Sequence, residues 1–387
     1  MRLLFFTIGL IVLGDSAGLG APPIPASEVN TSLAGAIREA VEAAIEEEKL
    51  PGCVVLVGAQ GNVIHREAYG NRRIEPQPEQ MTADTVFDLA SLTKPIATAT
   101  SVMVLIEQGK LRVDDPAAKH LPEFSANDKD TITIEHLLLH TGGLIADNPL
   151  ADYEDGRDQA IENIYALKPV APPGDRFIYS DVGFIVLGLV VEKITGHPLD
   201  EFARENVFEP LAMNETTFRP SEALRKRAAP ADKRNGEWLV GEVHDPRAAR
   251  LGGVAGHAGV FSTADDLAKY AQAMLDRGRR ADRRLLSEET WQQMTRPRDL
   301  PGRGRRGLGW DIQTGYSTNR GGKLSTAAFG HGGFTGTSLW MDPEKDLFVI
   351  FLSNRLHPDG KGSVNPLAGG IADIVDEQRS PAERSRD

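Results

Sequence analysis

The chain has a single cysteine, Cys53, among its 387 residues, so no disulfide can form within it. Its stability must therefore come from an apolar core, for which a chain of this length has ample material. Cys53 itself lies in an apolar run at residues 53–57. This setting favours a buried strand residue over a reactive thiol.

The chain has no excess of positive charge. The 43 lysines and arginines are outnumbered by 55 aspartates and glutamates, which gives a net charge of −12 at pH 7. Aromatic residues make up only 6% of the chain, and no basic stripe with interleaved aromatic residues is present. We therefore expect no nucleic-acid partner. We interpret the arginine clusters at residues 277–284 and 303–306 as solvated charges of loops or helix ends.

The sequence lacks long apolar runs typical of membrane-spanning helices. An apolar run at residues 3–13 follows Arg2 and precedes small residues, but it is too short to span a bilayer comfortably. This pattern is typical of a signal peptide. We interpret residues 1–20 as a signal peptide and expect a periplasmic or secreted protein. An uncleaved N-terminal anchor is the alternative, and we expect no other membrane span.

Strand-like patterns lie toward both ends of the chain, and helical patterns are concentrated between them. The predicted strands cover residues 53–59, 62–69, 339–341 and 347–352. The predicted helices cover residues 32–49, 97–108, 182–193, 264–275 and 366–377. The segment 182–193 is apolar nearly all round, and its length indicates a buried core helix.

This arrangement predicts two structural units. We expect one mixed α/β domain built from residues 28–95 and 250–387. It would carry an inserted helical domain at residues 96–249. A cleft between two such lobes is a common place for a binding site.

The segment Ser91-Leu92-Thr93-Lys94 carries the clearest chemical signal. A serine at a helix N-terminus lies beside unpaired backbone N–H groups and the positive end of the helix dipole. Lys94, at i+3, falls on the same helix face, and Pro95 is tolerated in a first turn. A Ser-x-x-Lys pair is a nucleophile arrangement of penicillin-recognising enzymes. A helix cap followed by a solvated lysine would give the same pattern.

Tyr179-Ser180-Asp181 stands between a loop and the predicted core helix. A tyrosine at such a junction can project its hydroxyl into a cleft. The Lys94 ammonium would favour the phenolate, so we predict a lowered pKa for Tyr179 and a role as general base. A tyrosine packed at the rim of the core is the alternative.

The segment His331-Gly332-Gly333-Phe334 leads toward a predicted strand. Its glycines allow a substrate to approach the backbone closely. The N–H of Phe334 could form an oxyanion hole together with the N–H of Ser91. Without that role, the segment is a tight turn before an edge strand.

In their order and spacing these segments resemble the serine β-lactamase-like family, in its branch of class C β-lactamases, D,D-peptidases and family VIII-type esterases. The resemblance covers about residues 33–375 and includes residues 109–116 and 134–144, which look like helical-domain segments of the family. It implies a β-lactamase/transpeptidase-like α/β fold, with an antiparallel sheet flanked by helices and an inserted helical domain. It also implies that Ser91 is acylated and that Lys94 and Tyr179 share proton transfer.

Two departures from the class C pattern bear on the substrate. Asp181 replaces the asparagine of Tyr-x-Asn, and a carboxylate lacks the amide donor that would hold a substrate carbonyl. Asp181 could instead pair with Lys94 or receive a cationic substrate group. His331 replaces a lysine, and a neutral imidazole holds a substrate carboxylate less firmly than an ammonium ion does. Both changes favour an esterase or a D-amino-acid peptidase over an efficient β-lactamase.

We expect no metal and no cofactor. None of the nine histidines has a metal-ligand spacing such as His-Glu-x-x-His. The resemblance marks His136 and His140 as structural, and we interpret His257 in the same way. The sequence thus predicts a hydrolase with a small-molecule or peptide substrate. A catalytically silent binding or assembly protein on the same fold, or a weak β-lactamase, stays as an alternative.

Overall fold

A computed structural model describes residues 31–280, 283–360 and 362–379. The predicted signal peptide, residues 1–20, lies outside the described residues. The strands of the described part are β1 (Gly52–Ala59), β2 (Asn62–Arg73), β3 (Glu79–Gln80), β4 (Phe87–Asp88), β5 (Pro230–Arg234), β6 (Glu237–Val240), β7 (Phe261–Ser262), β8 (Arg279–Arg280), β9 (Arg283–Arg284), β10 (Arg298–Asp299), β11 (Arg305–Arg306), β12 (Asp311–Gln313), β13 (Phe329–Gly333), β14 (Thr337–Asp342) and β15 (Leu347–Ser353).

The α-helices of the described part are α1 (Thr31–Glu46), α2 (Thr100–Glu107), α3 (Ala117–His120), α4 (Ile134–Leu138), α5 (Arg157–Ala166), α6 (Asp181–Thr195), α7 (Leu199–Ala203), α8 (Glu222–Arg225), α9 (Pro246–Arg250), α10 (Ala264–Leu275), α11 (Glu288–Thr295) and α12 (Asn365–Gln378). Two less regular segments precede α2. They are a 3₁₀ turn at Ala90–Leu92 and a π-helix at Lys94–Ala99.

One large antiparallel sheet joins the two ends of the chain. Its nine strands have the order β10-β11-β12-β13-β14-β15-β1-β2-β3. At its centre β1 pairs with β15 in a register that sets Val55 opposite Phe351. Strands β13, β14 and β15 follow one another as a meander. The sheet and the helices that flank it confirm the predicted fold class.

Strand β1 is buried on both faces, and its side chains enter two separate apolar clusters. Val54 and Leu56 belong to the larger cluster, which α10 and the helical middle of the chain also form. Cys53, Val55 and Val57 belong to the smaller cluster, which α1 and α12 cover. Successive strand residues point to opposite faces, so a sheet covered on both sides requires a continuously apolar strand. Cys53 is fully buried and unpaired, as predicted.

Helix α6 is the core of the helical middle of the chain. The Ser180 hydroxyl caps its start by accepting the N–H of Gly183 at 3.1 Å, and Gly196 ends it in the left-handed conformation. Most of its apolar residues are buried, which confirms the predicted core helix. Taken singly, no described helix has the length and apolar character to cross a membrane. The bent pair of residues 181–195 and 199–211 meets that criterion only when its two arms are combined.

The predicted division into two domains stays a prediction. The larger apolar cluster is continuous from the sheet into the helical middle of the chain. The π-helix Lys94–Ala99 runs across the boundary predicted between residues 95 and 96.

Two predictions of local structure were wrong. The helix predicted for residues 97–108 begins as a π-helix, and its regular part covers only Thr100–Glu107. The arginine clusters are not uniformly solvated, because Arg306 is fully buried and Arg280 is 5% exposed. Both arginines lie in short strands, where alternate residues point to opposite faces. A charged cluster in a sequence does not show which of its members faces inward.

Candidate active site

A cleft of about 300 Å³ contains most of the residues that the sequence singled out. Its lining includes five of them, which are Ser91, Tyr179, His331, Gly333 and Phe334. Lys94 contacts Ser91, and Asp181 contacts Lys94. The structure therefore brings all seven predicted site residues into one place.

The loop before Ser91 has an unusual backbone conformation. Ala90 has a φ of +47°, which is unfavourable for a residue with a Cβ atom. The Asp88 carboxylate stabilises it by accepting the Ala90 N–H at 2.8 Å, and its other oxygen accepts the N–H of His244 at 2.7 Å. Ser91 then lies in a 3₁₀ turn before the π-helix of Lys94, and not at the start of a regular helix as predicted. Such π-segments are frequent at functional sites.

Lys94 is fully buried, and its ammonium group has three oxygen partners. Nζ donates to Ser91 Oγ at 2.9 Å and to the carbonyl oxygen of His257 at 3.0 Å. It also lies 2.6 Å from Oδ1 of Asp181. Burial alone lowers the pKa of Lys94, but the neighbouring Asp181 carboxylate, together with Tyr179, outweighs burial and raises the pKa above its ordinary value. Lys94 is therefore an ammonium ion at neutral pH, paired with Asp181.

Tyr179 lies between two other rings and beside Lys94. Its ring centroid is 4.4 Å from that of His140 and 4.8 Å from that of Tyr316, and Lys94 Nζ lies 5.0 Å from it. The predicted fall in the Tyr179 pKa is wrong. Burial raises this pKa, and the lowering effect of Lys94 does not offset it. The sequence reveals the neighbouring charge, whereas the burial depends on how distant segments pack.

His140 supports the segment that carries Tyr179. Its Nδ1 accepts the N–H of Ser180 at 2.9 Å, so the ring hydrogen lies on Nε2. Burial lowers the pKa of His140 well below its ordinary value, which keeps the ring neutral. This arrangement agrees with the interpretation of His140 as a structural residue.

Asp245 and His257 lie close to Asp181, the partner of Lys94. His257 is buried, and its Nε2 lies 2.9 Å from Oδ1 of Asp245. Burial raises the pKa of Asp245, but His257 and backbone N–H donors outweigh it, so the pKa lies below its ordinary value. Asp181, Asp245 and His257 are the group of possible metal ligands found in the described residues, with ligand atoms within 4.8 Å of one another. The cation that faces Asp181 here is the Lys94 ammonium.

His331 lies on the interior strand β13 and is 5% exposed. Its Nδ1 lies 2.8 Å from the carbonyl oxygen of Gly332. Because a carbonyl oxygen only accepts, Nδ1 carries the hydrogen and Nε2 keeps a free lone pair. Burial, together with Arg306 and Lys94, lowers the His331 pKa well below its ordinary value. His331 therefore offers an acceptor and no positive charge.

The connection between β13 and β14 is fastened to the loop that precedes Ser91. Oγ1 of Thr335 donates to the carbonyl oxygen of Asp88 at 2.7 Å. Gly333 lies so close to this loop that a Cβ atom would lie 2.4 Å from the carbonyl oxygen of Leu89. The ring of Phe334 is 60% exposed, and its N–H meets no acceptor among the described residues.

Sequence reasoning missed two arginines at the site. Arg306 is fully buried, and its Nη1 lies 3.7 Å from Oδ1 of Asp311, which lines the cleft. The other oxygen of Asp311 accepts the hydroxyl groups of Thr314 and Ser317. Arg355 lines the cleft just after β15. Neither arginine belongs to a local motif, so no sequence signal connects it with the nucleophile.

Comparisons with known proteins agree with this geometry. The sequence model of the family described as Beta-lactamase matches residues 37–372. A protein of Escherichia coli K12 named a D-alanyl-D-alanine carboxypeptidase is 33% identical over 344 residues, which cover 79% of this chain and 79% of that protein. A Bacillus subtilis protein named N-acetylmuramyl-L-alanine amidase is 32% identical over 344 residues, which cover 79% of this chain and 78% of that protein.

The fold has close counterparts among solved structures. EstCE1, described as a hydrolase with promiscuous acyltransferase activity, superimposes with a TM-score of 0.73 at 26% identity. The superposition covers 89% of this chain and 98% of EstCE1. The sequence and structure matches both extend over most of the chain. The chain therefore belongs to the beta-lactamase family and is a serine hydrolase.

Proposed function

We propose that this serine hydrolase cleaves an ester, amide or peptide bond through an acyl-enzyme on Ser91, in the periplasm or outside the cell. The observation that carries the proposal is the 2.9 Å hydrogen bond from Lys94 Nζ to Ser91 Oγ at the cleft. Lys94 is fully buried, and burying a charge costs free energy. A buried lysine directed at a serine hydroxyl therefore favours a chemical role over a packing role.

In the acylation step, Ser91 Oγ forms a bond to the substrate carbonyl carbon, and its hydrogen passes to the Lys94–Tyr179 pair. Both groups have raised pKa values, so the pair holds its protons at neutral pH and must lose one before it can act as a base. Tyr179 then accepts the serine proton as phenolate, with the Lys94 charge beside it. When the tetrahedral intermediate collapses, the leaving group departs with that proton.

In the second step, water attacks the carbonyl carbon of the acylated Ser91. The Lys94–Tyr179 pair accepts the proton of the water and returns it to Ser91 Oγ as the acid product leaves. Each tetrahedral intermediate carries a negative oxygen, for which the N–H groups of Ser91 and Phe334 are our candidate donors. The hydrogen bond from Thr335 to the carbonyl oxygen of Asp88 supports this pairing, because it holds the two segments together.

The residues beside the nucleophile favour an ester or a D-amino-acid peptide over a β-lactam. Asp181 lies 2.6 Å from Lys94 and offers the substrate no hydrogen-bond donor. His331 is neutral and offers no ammonium charge. The names of the relatives include a carboxypeptidase and an amidase, and the structural counterpart is described as a hydrolase. Amide and ester bonds therefore both belong to the proposal.

The location outside the cytoplasm rests on residues 1–20, where an apolar run follows Arg2. N-terminal sequencing of the protein purified from its native cells tests it. We expect the mature chain to begin after Gly18 or Gly20. A chain that keeps Met1 and sediments with membranes would favour the uncleaved anchor.

Covalent labelling with a fluorophosphonate tests the nucleophile. We expect one adduct, which mass spectrometry places on the peptide that contains Ser91. A hydrolysis screen with p-nitrophenyl esters, D-alanyl peptides and nitrocefin then ranks the substrate classes, and we expect nitrocefin to be the poorest. A protein that neither forms the adduct nor hydrolyses any of the three would be a silent member of the family.

A further inference from the structure

The dipeptide His244-Asp245 is bonded to two parts of the site, although neither residue is among those that line the cleft. The N–H of His244 donates to Oδ2 of Asp88 at 2.7 Å, and Oδ1 of Asp88 accepts the N–H of Ala90 at 2.8 Å. Ala90, with its φ of +47°, directly precedes the nucleophile. The first residue of the dipeptide therefore helps to hold the strained turn that presents the serine.

The second residue, Asp245, fixes the side chain of His257. Oδ1 of Asp245 lies 2.9 Å from Nε2 of His257. The same oxygen accepts the N–H groups of Arg247 at 2.9 Å and of Ala248 at 2.7 Å, and so caps the start of helix α9. Because a carboxylate oxygen accepts, Nε2 of His257 carries the hydrogen of the contact. The His257 side chain is only 1% exposed, so solvent has little access to this contact.

The backbone around His257 is bonded to the π-helix that carries Lys94. The carbonyl oxygen of His257 accepts from Lys94 Nζ at 3.0 Å, and that of Gly256 accepts from Thr98 Oγ1 at 2.7 Å. Two successive carbonyl groups therefore fasten the loop to this helix. Gly256 also packs closely on α6, where a Cβ atom would lie 1.9 Å from the carbonyl oxygen of Phe184. The loop has little room to shift.

The three oxygen partners of Lys94 differ in kind. Ser91 Oγ is the reacting atom, and Asp181 supplies the opposing charge. The carbonyl oxygen of His257 is neutral and belongs to the backbone, so it directs the ammonium group without altering the charge of the site. Orientation of this kind matters, because a displacement of about 1 Å can cost about 10²-fold in rate.

We propose that Asp245 and His257 are positioning residues of the Ser91 centre, because their side-chain contact fixes the carbonyl oxygen that directs Lys94 at the serine hydroxyl. The inference rests on the proposed function, since it concerns the orientation of the lysine that the reaction uses. One short segment, His244-Asp245, then sets the position of the serine relative to the lysine.

Two substitutions of Asp245 separate positioning from stability. Asp245→Ser keeps an N-cap for α9, but its side chain is too short to reach His257. Asp245→Asn keeps both the cap and an oxygen that accepts from His257. Because serine and asparagine cap helices about equally well, the two variants differ mainly in the His257 contact. Asp115→Ser is the matched control, since the buried Asp115 contacts His120 Nε2 at 3.3 Å and is not among the residues that line the cleft.

Four quantities are measured on each full-length protein. The second-order rate constant of fluorophosphonate labelling and kcat/KM for 4-nitrophenyl acetate, expressed per labelled site, report the reactivity of Ser91 in folded molecules. The final yield of adduct and the melting temperature report folding. A residue with a merely structural role changes the second pair of quantities and leaves the first pair unchanged.

We expect Asp245→Ser to lower both rate measures by roughly 10- to 100-fold, the cost of a misplaced catalytic group. Asp245→Asn should recover most of this loss, because it restores the contact without the charge. Asp115→Ser should be less stable than the wild type, but both of its rate measures should stay at the wild-type values.

The possible failures can be told apart. If Asp245→Asn loses as much as Asp245→Ser, the carboxylate charge is required and the positioning role is wrong. If Asp245→Ser does not fold, or loses only yield and melting temperature, Asp245 is structural and the proposal is likewise wrong. In these cases, hydrolysis that still requires Ser91 leaves the proposed function standing. Hydrolysis that persists in Ser91→Ala, or a wild type that neither labels nor cleaves the ester, would overturn the proposed function and this inference with it.

Discussion

The floor and the rim of the cleft are built in opposite ways. The floor consists of Lys94 and the three polar side chains around it, which are Ser91, Tyr179 and Asp181. The rim consists of three large side chains, which are Tyr316, Phe334 and Arg355. Lys94 is fully buried, whereas Tyr316 is 56% and Phe334 is 60% exposed.

This difference separates the groups that perform the reaction from those that select the substrate. On the floor, the buried Lys94 ammonium contacts both Ser91 and Asp181 and lies beside the Tyr179 ring, so a substitution there alters proton transfer. At the rim, the side chains come from three separate segments: Arg355 lies over the ring of Phe334, and Tyr316 stacks on the ring of Tyr179. A substitution there alters which molecules fit, and the four predictions below test this division.

Ser91→Ala should have the largest effect, because it removes the nucleophile of the floor. We expect loss of both covalent labelling and hydrolysis, with little change in the melting temperature, since the serine is partly exposed and its hydroxyl accepts a hydrogen bond from Lys94. Ser125→Ala, at an exposed serine that bonds the carbonyl oxygen of Pro122, is the control and should label fully. An adduct at wild-type yield in Ser91→Ala would show that the reacting group lies elsewhere.

Tyr179→Phe should lower kcat/KM by about 10²–10⁴-fold, the usual contribution of a positioned acid or base. The phenylalanine keeps the ring contact with His140, so the free energy of unfolding should change little. Steady-state kinetics and thermal unfolding measure the two effects.

Tyr316→Phe is the matched control for Tyr179→Phe, because it removes a hydroxyl from the rim tyrosine stacked 4.8 Å away. We expect its loss of kcat/KM to be far smaller. If the two variants lost activity equally, the division between floor and rim would be wrong.

Much of the floor was predictable because its residues lie in short motifs. Ser91 and Lys94 are three residues apart, and Tyr179 and Asp181 are two apart, so each pair forms one local motif, and the family resemblance joined the two motifs. The elements that bury them were also predictable from apolar patterns. Helix α10 begins and ends at the predicted residues, Ala264 and Leu275.

The rest could not be predicted, because it depends on contacts between distant segments. In the sequence, Arg306 cannot be distinguished from its solvated neighbours. Its burial depends on the register of β11 in the sheet. Arg355 lies 264 residues from Ser91 in sequence, and only the sheet brings both to one cleft. The sign of the Tyr179 pKa shift required the balance between burial and the Lys94 charge, and burial is a property of the fold.

Asp181→Asn should change the pH dependence of the floor. Asp181 raises the pKa values of both Lys94 and Tyr179, so its neutralisation should lower both. The pair must lose a proton to act as a base, and wild-type kcat/KM should therefore rise with pH above neutrality. In Asp181→Asn the rising limb should move to lower pH. The new amide donor should also raise kcat/KM for penicillin-like or acyl-peptide substrates relative to short-chain esters.

Asp147→Asn is the control for the pH shift. Asp147 also lies near Asp181: burial is the main cause that raises the pKa of Asp147, and the charge of Asp181 is the second. The ion-pair partner of Asp147, however, is Arg247 at 3.4 Å. We expect the rising limb of this variant to stay at the wild-type pH. If the rising limb of kcat/KM against pH stays at the wild-type pH in Asp181→Asn, Asp181 has no part in proton transfer. If the ratio of kcat/KM for penicillin-like or acyl-peptide substrates to that for short-chain esters is unchanged, Asp181 does not determine substrate preference.

Phe334→Ala should have the smallest effect on the protein itself, because its ring is mostly exposed at the rim. We expect the free energy of unfolding to change by no more than about 0.5 kcal/mol. Phe329→Ala, at the buried start of β13, the strand that ends just before Phe334, should cost about 3–5 kcal/mol. Loss of the aromatic contact should raise KM for aryl esters by about 2- to 10-fold. Chemical denaturation and steady-state kinetics measure these effects. If Phe334→Ala lost as much stability as Phe329→Ala, the rim side chain would also stabilise the fold. Its role in substrate selection could then not be separated from a role in folding.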